Sequence, residues 1–279
     1  MGETGVYYDR LARWTAVARF FGYGGGRDGL TVHRSLADPR ADGRPTPNRL
    51  HDLLIDTLPP LEAPRVLDAG CGLGGTMIEM ASRLGGTYTG VTLSDQQAAI
   101  GRRAVANAGL NTSIDIHVGS YDAPPAGPFD LIVAIESMAH SPHPRVSVEA
   151  LAARLAPGGC LAIVDDMPEP GAEASADLSV FMSGWQLPVL WSATQHLAAF
   201  HACGLTAATD RDLTPHLRPR TIGRIRQLEL VNRGVRRLVA TEGGRAMLDS
   251  YYGGLALERL YRQGLMKYRV LVARRATTN

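Results

Sequence analysis

The sequence contains a single lysine, three cysteines and no apolar run that approaches the length of a membrane span. The cysteines, Cys71, Cys160 and Cys203, are odd in number and widely spaced, which indicates reduced thiols and argues against a disulfide framework or a zinc site. A formal net charge of +2 without any basic block argues against a nucleic-acid partner. Because the N-terminus carries Glu3 and Asp9 and has no apolar signal region, we expect a cytoplasmic protein with no membrane partner.

What the sequence does contain is typical of an ordinary globular protein. Hydrophobic residues make up 45% and charged residues 20% of the 279 residues, which is the usual range for globular domains. A chain of this length can bury a sizeable core and suits one large domain or one domain with a cap. The composition does not define an oligomeric state, so a homo-oligomer stays open.

From residue 64 onward, short apolar runs alternate with segments of helical periodicity. The predicted strands are 65–69, 88–93, 113–118, 130–136 and 160–165. The run at 130–136 is continuously apolar between two charged ends, which is typical of a strand buried on both faces. Strands and helices that alternate through short turns predict an α/β fold with a doubly wound parallel sheet.

Segments outside this alternation are predicted to cover the core. Residues 1–60 show no strand pattern and are predicted to form a lid of two helices joined by a mobile polar loop. Residues 166–192 carry prolines, small residues and tryptophans and are predicted to be an inserted cap. The remaining assignments are 61–165 for the core, 193–279 for its completion, 215–262 for a helical cap within that part and 268–273 for a final strand.

The most informative stretch is an apolar run that ends in Asp68 and continues through a glycine cluster into a helix. Glycine suits such a turn because it accepts positive φ and lets a ligand approach bare backbone. The helix start also presents unpaired N–H groups to a ligand. The spacing of Gly70, Gly72 and Gly75 fits a dinucleotide fingerprint as well, so the glycines alone leave an NAD-dependent dehydrogenase open. That class places an acidic residue about 20 positions further on, whereas the second strand here ends in Thr92 and two more uncharged residues.

The whole chain resembles the class I S-adenosylmethionine-dependent methyltransferases, and its motifs follow that family's order. The stretch 66–76 is similar to the first motif, 129–136 to the fourth strand, 155–159 to the turn before the fifth strand, and 268–273 to the antiparallel seventh strand. The resemblance implies a seven-stranded, mostly parallel, Rossmann-like sheet with a helical cap. It also implies S-adenosylmethionine as the cofactor and a small molecule as the substrate.

Within that family, the stretch 90–97 is similar to a small-molecule branch that includes tocopherol, sarcosine and geranyl diphosphate methyltransferases. The resemblance implies that Asp68 faces the amino-acid end of the cofactor, that Gln97 and its neighbours approach the ribose, and that Tyr121 marks the adenine site. The full set of implied cofactor contacts is Asp68, Gly70, Cys71, Gly72, Thr92, Leu93, Gln97, Ser120 and Tyr121.

Several of these residues also have structural interpretations that the sequence leaves open. Gln97 fits the third helical position of a capping box, and Asp68 fits a carboxylate that only holds the glycine turn through backbone N–H groups. Cys71 fits a small buried residue without thiol chemistry. Asp165 and Asp166 would suit a metal ion, but a carboxylate that ends a strand is ordinary, so no metal is predicted.

Glu136 and His140 follow the strand at 130–136, at the edge where open α/β sheets bind ligands, and are the candidate catalytic residues. A base is required only if the acceptor must lose a proton, and either side chain can supply it. The resemblance to geranyl diphosphate C-methyltransferases implies that Glu136 faces a cation formed in the substrate. The alternatives are a cofactor contact without proton chemistry for Glu136 and an ordinary loop histidine for His140.

The nature of the acceptor is predicted from the arginines, whose planar forks suit phosphate or carboxylate groups. Arg27, His33 and Arg34 lie in the predicted lid, and further arginines gather near the C-terminal cap. The candidate substrate-binding residues are Tyr23, Arg27, Trp185 and Arg218. Our leading prediction is C-methylation of an isoprenyl diphosphate or a similar anionic acceptor. The alternatives are O- or N-methylation of a neutral aromatic or polyketide-like metabolite, with the arginines as a solvated face, and a catalytically silent cofactor-binding protein.

Overall fold

The computed structural model describes residues 30–277. Two short strands, β1 (Leu36–Ala37) and β2 (Pro45–Thr46), pair antiparallel ahead of helix α1 (Asn48–Ile55). The expectation of no strand in this region was wrong, because strands of two residues are too short to produce a period-two pattern. Helix α1 buries its leucines, as their helical spacing predicts. The first predicted helix of the lid lies outside the described residues.

A seven-stranded sheet forms the core of the molecule. Its strands are β3 (Arg65–Ala69), β4 (Thr87–Thr92), β5 (Ile114–Val118), β6 (Phe129–Ile135), β7 (Leu155–Pro168), β8 (Leu205–Asp212) and β9 (Met266–Arg275). They lie in the order β5-β4-β3-β6-β7-β9-β8. Strands β3 to β7 are parallel, and β9 is antiparallel to both β7 and β8. The predicted doubly wound, seven-stranded and mostly parallel sheet is confirmed.

Helices cover both faces of this sheet. They are α2 (Gly75–Leu84), α3 (Asp95–Asn107), α4 (Pro144–Ala152), α5 (Ala176–Gly184), α6 (Ala193–Ala202), α7 (Ile222–Leu238) and α8 (Glu242–Gln263). Successive residues of β6 show the two-sided burial, since Leu131 and Val133 pack in one apolar cluster and Ile132 and Ala134 in another. Because both faces are covered, residues 131–135 of β6 form an uninterrupted apolar run.

Helices α5, α7 and α8 are tied to one another. Close approach of α5 and α8 requires glycine, because a Cβ on Gly184 would lie 2.6 Å from the carbonyl oxygen of Asp249. Arg259 of α8 forms ion pairs with Asp177 of α5 and Glu229 of α7. None of the helices in residues 30–277 combines the length and the apolar composition needed to cross a membrane.

Strand β9, the last strand in sequence among the described residues, is not at the edge of the sheet but one position in from it. Strand β9 lies between β7 and β8, and its register pairs Asp166 of β7 with Tyr268. Strand β7 begins at Leu155, ahead of the glycine turn that was expected to precede it. The two strands therefore bring side chains that are far apart in sequence to the carboxyl-terminal edge of β7.

Candidate functional site

The glycine turn joins β3 to α2 and is held from both sides. Gly70, Gly72 and Gly74 have left-handed backbone, with φ of 102°, 54° and 79°. The N–H of Gly70 donates to the carbonyl of Val91 in β4 at 3.1 Å. Ser137, which follows β6, donates its hydroxyl to the carbonyl that ends β3 at 2.6 Å. A Cβ at position 70 would lie 2.5 Å from the Cβ of Ser137, so the turn needs glycine there.

Asp68 lies at the base of this turn and is only 3% exposed. Burial raises the pKa of its carboxyl to about 7. Among the described residues, no cationic side chain or hydrogen-bond donor offsets that burial. A buried carboxylate of this kind suits a ligand that brings a positive charge. Burial also raises the pKa of the neighbouring Cys71 thiol, which therefore stays protonated and serves as a small packed residue.

The end of β4 holds the residues expected to approach a ribose. The hydroxyl of Thr92 donates to Oε1 of Gln97 at 2.7 Å, and both side chains are buried. The N–H of Gln97 donates to the hydroxyl of Ser94 at 3.1 Å, so Ser94 caps α3 as predicted. Leu93 is 36% exposed. The structure thus brings Thr92 and Gln97 together and leaves Leu93 on the outer side.

The turn after β5 holds the residues expected at the adenine site. The hydroxyl of Tyr121 donates to the carbonyl of Ser137 at 2.9 Å, which ties this turn to the segment after β6. The hydroxyl of Ser120 accepts from the N–H of Asp122 at 3.0 Å and so stabilises its own turn. Tyr121 therefore shares a partner with the glycine turn, whereas Ser120 has a local structural role.

Glu136 has left-handed backbone, with a φ of 50°, directly after β6. Such a conformation is uncommon for a residue other than glycine and is concentrated at functional sites. Its Oε1 accepts from the N–H and Nε of Arg34, both at 3.0 Å, and from the hydroxyl of Tyr268 at 2.8 Å. Burial would raise the pKa of Glu136, but the Arg34 guanidinium and these hydrogen bonds bring it below its ordinary value. Glu136 is therefore ionised.

Arg34 connects Glu136 to a second carboxylate. Its Nη2 donates to Oδ2 of Asp166 at 2.6 Å, and its Nη1 donates to the hydroxyl of Tyr261. That hydroxyl in turn donates to the other oxygen of Asp166. The guanidinium carbon lies 4.8 Å from the ring centroid of Tyr268 and 5.6 Å from that of Tyr261. Two aromatic rings and two carboxylates therefore fix this arginine.

The two aspartates near the end of β7, Asp165 and Asp166, differ in their partners. Burial raises the pKa of Asp165 to about 8 and that of Asp166 to about 6. Asp165 accepts from the N–H of Ala139 at 3.1 Å, whereas Asp166 is bound by Arg34 and Tyr261. Within residues 30–277, no group of three or more histidine, cysteine, aspartate or glutamate side chains is arranged to hold a metal ion.

His140 ends the short 3₁₀ turn Met138–His140. Burial lowers its pKa to about 4, and the negative charge of Glu136 opposes that shift only in part. The imidazole is therefore neutral near pH 7 and has a nitrogen lone pair that can accept a proton. The structure brings Glu136 and His140, the two candidate catalytic residues, to the same edge of the sheet.

A buried pair of histidines anchors the segment that carries Arg34. His33 donates Nδ1–H to the carbonyl of Arg34 at 3.1 Å, so its Nε2 accepts from Nε2–H of His51 at 2.9 Å. The rings meet edge-on with centroids 4.8 Å apart. Burial lowers the pKa of both, that of His51 to about 2. The neutral pair fastens the segment before β1 to helix α1.

The predicted substrate-binding residues are not gathered at this edge by the contacts in the structure. Trp185 donates Nε1–H to the carbonyl of Ser250 at 2.9 Å and packs between α5 and α8. Arg218 is exposed and donates to backbone carbonyls of its own loop. Tyr23 and Arg27 lie outside the described residues. A substrate role for these four side chains stays a prediction.

Sequence reasoning missed the partners that define this edge. Tyr261 and Tyr268 were assigned only to a helix and a strand. Asp166 was assigned to a strand end or to the start of the inserted cap, whereas it lies inside β7. Arg34 was assigned to the binding of an anion, whereas the structure places it on Glu136 and Asp166. A signal for Tyr268 was available, because an antiparallel strand beside β7 must set one of its residues across from Asp166.

Comparison with known sequences assigns the chain to a protein family. A family model described as a methyltransferase domain matches residues 42–208, which is more than half of the chain. A probable chloroplastic tocopherol O-methyltransferase from Oryza sativa subsp. japonica is 40% identical over 36% of this chain and 28% of its own length. The 27-O-demethylrifamycin SV methyltransferase of Amycolatopsis mediterranei is 30% identical over 61% of this chain and 64% of its own. The chain thus spans less than two thirds of the length of these relatives.

Solved structures with a similar fold extend over nearly the whole chain. The cyclase SpnF superposes with a TM-score of 0.75 at 21% identity, covering 99% of this chain and 96% of its own. The geranyl diphosphate C-methyltransferase of Streptomyces coelicolor, solved with Mg²⁺, geranyl diphosphate and S-adenosylhomocysteine, superposes with a TM-score of 0.71 at 22% identity. It covers 97% of this chain and 98% of its own. At these identities the likeness concerns the fold alone, since one fold hosts several chemistries.

Proposed function

The chain belongs to the methyltransferase domain family, and on that premise we propose that it transfers the methyl group of S-adenosylmethionine to a hydroxyl group of a neutral small molecule. The observation that carries the choice of acceptor is the set of contacts around Glu136, which is bound by Arg34 and Tyr268. S-adenosylmethionine, when bound, supplies an electrophilic methyl group on a positively charged sulfur.

The residues of the turn fit this cofactor. Asp68 is a buried carboxylate without a cationic partner in the described chain, and it would hold the ammonium group of the cofactor's amino-acid end. Gly70 and Gly72 leave the backbone bare beside it. Thr92 and Gln97, which already contact each other, would hold the ribose. These assignments follow from the chemistry of the groups, because a buried carboxylate is stabilised by an adjacent positive charge.

The charges at the acceptor edge argue against an anionic acceptor. Arg34 provides one positive charge, and both Glu136 and Asp166 already take it. Among the residues that the structure describes, a diphosphate placed there would face these carboxylates, and the one cation in contact with them is already paired. Near the C-terminal cap, Arg218, Arg224 and Arg226 are exposed, and Arg220 is paired with Glu258. A neutral acceptor is favoured because it adds no charge to a site where the Arg34 guanidinium already offsets one of two carboxylates.

His140 is the proposed base for a hydroxyl acceptor. As the acceptor oxygen bonds to the methyl carbon, the C–S bond breaks and its electron pair stays on sulfur, while the hydroxyl proton moves to the His140 imidazole. The lowered pKa of His140, about 4, keeps the ring unprotonated near pH 7 and also makes it a weaker base, so the proton moves as the oxygen–carbon bond forms. Its proximity to Glu136, which is ionised, stabilises the imidazolium that results.

C-methylation of an isoprenyl diphosphate remains the second candidate. The observation that favours it is the ionised carboxylate of Glu136 on a strained backbone at this edge, which would stabilise a carbocation in the substrate. The Arg34 guanidinium opposes it, because a carboxylate bound to a cation offers less negative charge to a second one.

The segment before β1 is proposed to close over the cofactor. Its backbone crosses the start of α2, where a Cβ on Gly75 would lie 2.7 Å from the carbonyl carbon of Leu30. Entry of the cofactor would then require this segment to move, as lids do in many enzymes. Limited proteolysis should show the loop at 22–47 becoming protected when S-adenosylhomocysteine is added. Unchanged cleavage in that loop would contradict the closure.

The acceptor class is tested with labelled S-adenosylmethionine and a panel of phenols, hydroxylated lactones, aliphatic amines and prenyl diphosphates, each with and without Mg²⁺. Label in a hydroxyl compound, with the diphosphates unlabelled, is the expected result. Label only in a diphosphate would establish C-methylation in its place. Tight binding of S-adenosylhomocysteine without transfer to any compound would identify a catalytically silent protein.

A further inference from the structure

Arg34 is the sole positive charge in contact with two carboxylates at the acceptor edge of the described chain. Its side chain is 17% exposed, and those of Glu136 and Asp166 are 16% and 3% exposed. Both carboxylates are bound through different nitrogens of one guanidinium, Nε and Nη2. With Glu136 and Asp166 ionised, this group of three carries a net charge of minus one, and without Arg34 no cation in contact with the two carboxylates would offset their negative charge among the described residues.

The backbone at this point is fixed independently of the Arg34 side chain. The N–H of Arg34 donates to Glu136 at 3.0 Å, and the preceding His33 is bound to His51. Two residues earlier, Val32 lies within 3.9 Å of the position that a Cβ on Gly72 would take. A substitution at position 34 therefore removes the guanidinium while these backbone and neighbouring contacts stay available.

We propose that Arg34 determines acceptor specificity, by offsetting one of the two carboxylates and so favouring neutral hydroxyl acceptors over amines. The inference rests on the proposed function and names a residue that selects its substrates. When an amine is methylated, its lone pair bonds to the methyl carbon, the C–S electron pair stays on sulfur, and the nitrogen becomes positively charged. Two uncompensated carboxylates would stabilise that charge, whereas a hydroxyl acceptor gains nothing comparable.

The test compares kcat/KM for a matched pair of acceptors: a hydroxyl compound that the wild type labels, and the analogue with an amine in place of that hydroxyl. In Arg34→Gln the ratio of kcat/KM for the amine to kcat/KM for the hydroxyl compound should rise by about tenfold or more. The positive charge on the amine nitrogen then faces carboxylates that no guanidinium offsets. Arg34→Lys should keep the wild-type ratio, since it keeps the charge. Affinity for S-adenosylhomocysteine should stay unchanged in both variants.

The matched control is Arg259→Gln. Arg259 is also 17% exposed and also lies between two carboxylates, but they belong to the cap helices. Its substitution should leave the acceptor ratio at the wild-type value. An equal loss of kcat/KM for both acceptors in Arg34→Gln would show that Arg34 is only structural, and would overturn the proposal.

A further variant keeps the proposal testable if Arg34→Gln folds poorly. The double variant Arg34→Gln with Asp166→Asn removes one carboxylate together with the guanidinium and leaves Glu136 in place, and it should return the ratio to the wild-type value. A ratio that stays raised in the double variant would contradict the role given to Asp166. The two proposals fail separately: a wild type that labels no hydroxyl compound rejects the proposed function, whereas an unchanged ratio in Arg34→Gln rejects only the specificity role.

The pH profile gives an independent measure. Without the guanidinium, the pKa of Glu136 should rise, and kcat/KM should show an additional ionisation that the Arg259→Gln profile lacks. The charged and titratable groups around Glu136 come from several elements: Arg34, His33, His140, Asp165, Asp166, Tyr261 and Tyr268. A profile identical to that of the wild type would count against a charge-based role for Arg34.

Discussion

Arg34 and Arg259 form nearly the same ion-pair arrangement in two regions of the molecule. Each side chain is 17% exposed, and each lies between two carboxylates from distant parts of the chain. Arg259 donates from Nε to Oδ2 of Asp177 at 3.0 Å and from Nη2 to Oδ1 at 2.6 Å, the bidentate geometry that suits a guanidinium. Judged by side-chain exposure and ion pairs alone, the two arginines are equivalent.

The two arginines differ in the parts of the fold that surround them. Arg259 and its partners belong to α5, α7 and α8, and they join these helices. Arg34 meets Glu136 on left-handed backbone and Asp166 with a pKa raised to about 6, at the carboxyl ends of neighbouring parallel strands. A buried ion pair is therefore weak evidence for function. Its position on the sheet and the strain beside it carry the information.

The largest expected effect is for two histidines, one at the acceptor edge and one elsewhere in the fold. His140 and His196 both have a pKa lowered to about 4 by burial, but His196 lies on α6 and packs against Trp191. His140→Gln should reduce methyl transfer to a hydroxyl acceptor by about 10²–10⁴-fold, because the base is lost. His196→Gln should leave the rate per folded molecule unchanged. Equal rates for the two variants in an initial-rate assay would remove His140 from the chemistry.

Removal of Arg259 should mainly affect folding. Arg259→Gln leaves Asp177 and Glu229 without their cation, and breaking a pair of this kind costs about 3 kcal/mol of unfolding free energy. Activity per folded molecule should stay at the wild-type value. Denaturant unfolding, followed with the activity of the same samples, checks both parts. Loss of activity without loss of stability would show that the two arginines do not differ in the way described.

A pair of glycines extends the comparison to the backbone. Gly70→Ala puts a Cβ against Ser137, and it should cost roughly 1–3 kcal/mol of cofactor binding, because the strained turn must move. Gly109 also has positive φ, 71°, but no atom lies within 4 Å of its added Cβ. Gly109→Ala should cost about 1 kcal/mol of stability and no affinity. Titration calorimetry with S-adenosylhomocysteine and thermal unfolding separate the two outcomes.

The smallest predicted effect concerns pH and Asp68. Its folded pKa is raised to about 7, so the carboxyl holds a proton below that pH and must release it when a cationic ammonium group binds. Affinity for S-adenosylhomocysteine should therefore rise by about tenfold between about pH 6 and about pH 8 and then level off. Calorimetry in buffers of different ionisation enthalpy should detect proton release at the lower pH. Asp68→Asn should abolish the dependence, and a flat wild-type profile would contradict the assignment.

Much of the fold could be read from the sequence because its signals are local. A buried parallel strand such as β6 is continuously apolar, and a turn that needs positive φ shows its glycines. Strands β1 and β2 were missed because two residues give no periodicity. Strand β7 was predicted too short, because the glycines at 158 and 159 suggested a break where the backbone continues as strand.

The acceptor edge could be predicted only in part. Glu136 and His140 directly follow a recognisable strand, so their position was visible. The partner of Glu136 was not, because Arg34 lies 102 positions away and no local pattern relates the two. Tyr268 lies 132 positions from Glu136 and reaches it only through the register of β9. Pairings between distant segments leave no periodic trace in a single sequence.

The insertion of β9 between β7 and β8 has a consequence for the order in which the protein is made. On the ribosome, β7 and β8 are both synthesised before α7 and α8, and β9 follows those helices. Neither β7 nor β8 can therefore pair with β9 while α7 and α8 are being translated. The apolar edge of β7 stays open during that interval and is a point where nascent chains can associate wrongly. Tyr268 arrives with β9, and its hydroxyl is a ligand of Glu136. Completion of the sheet and completion of the site therefore coincide in a single late step of biosynthesis.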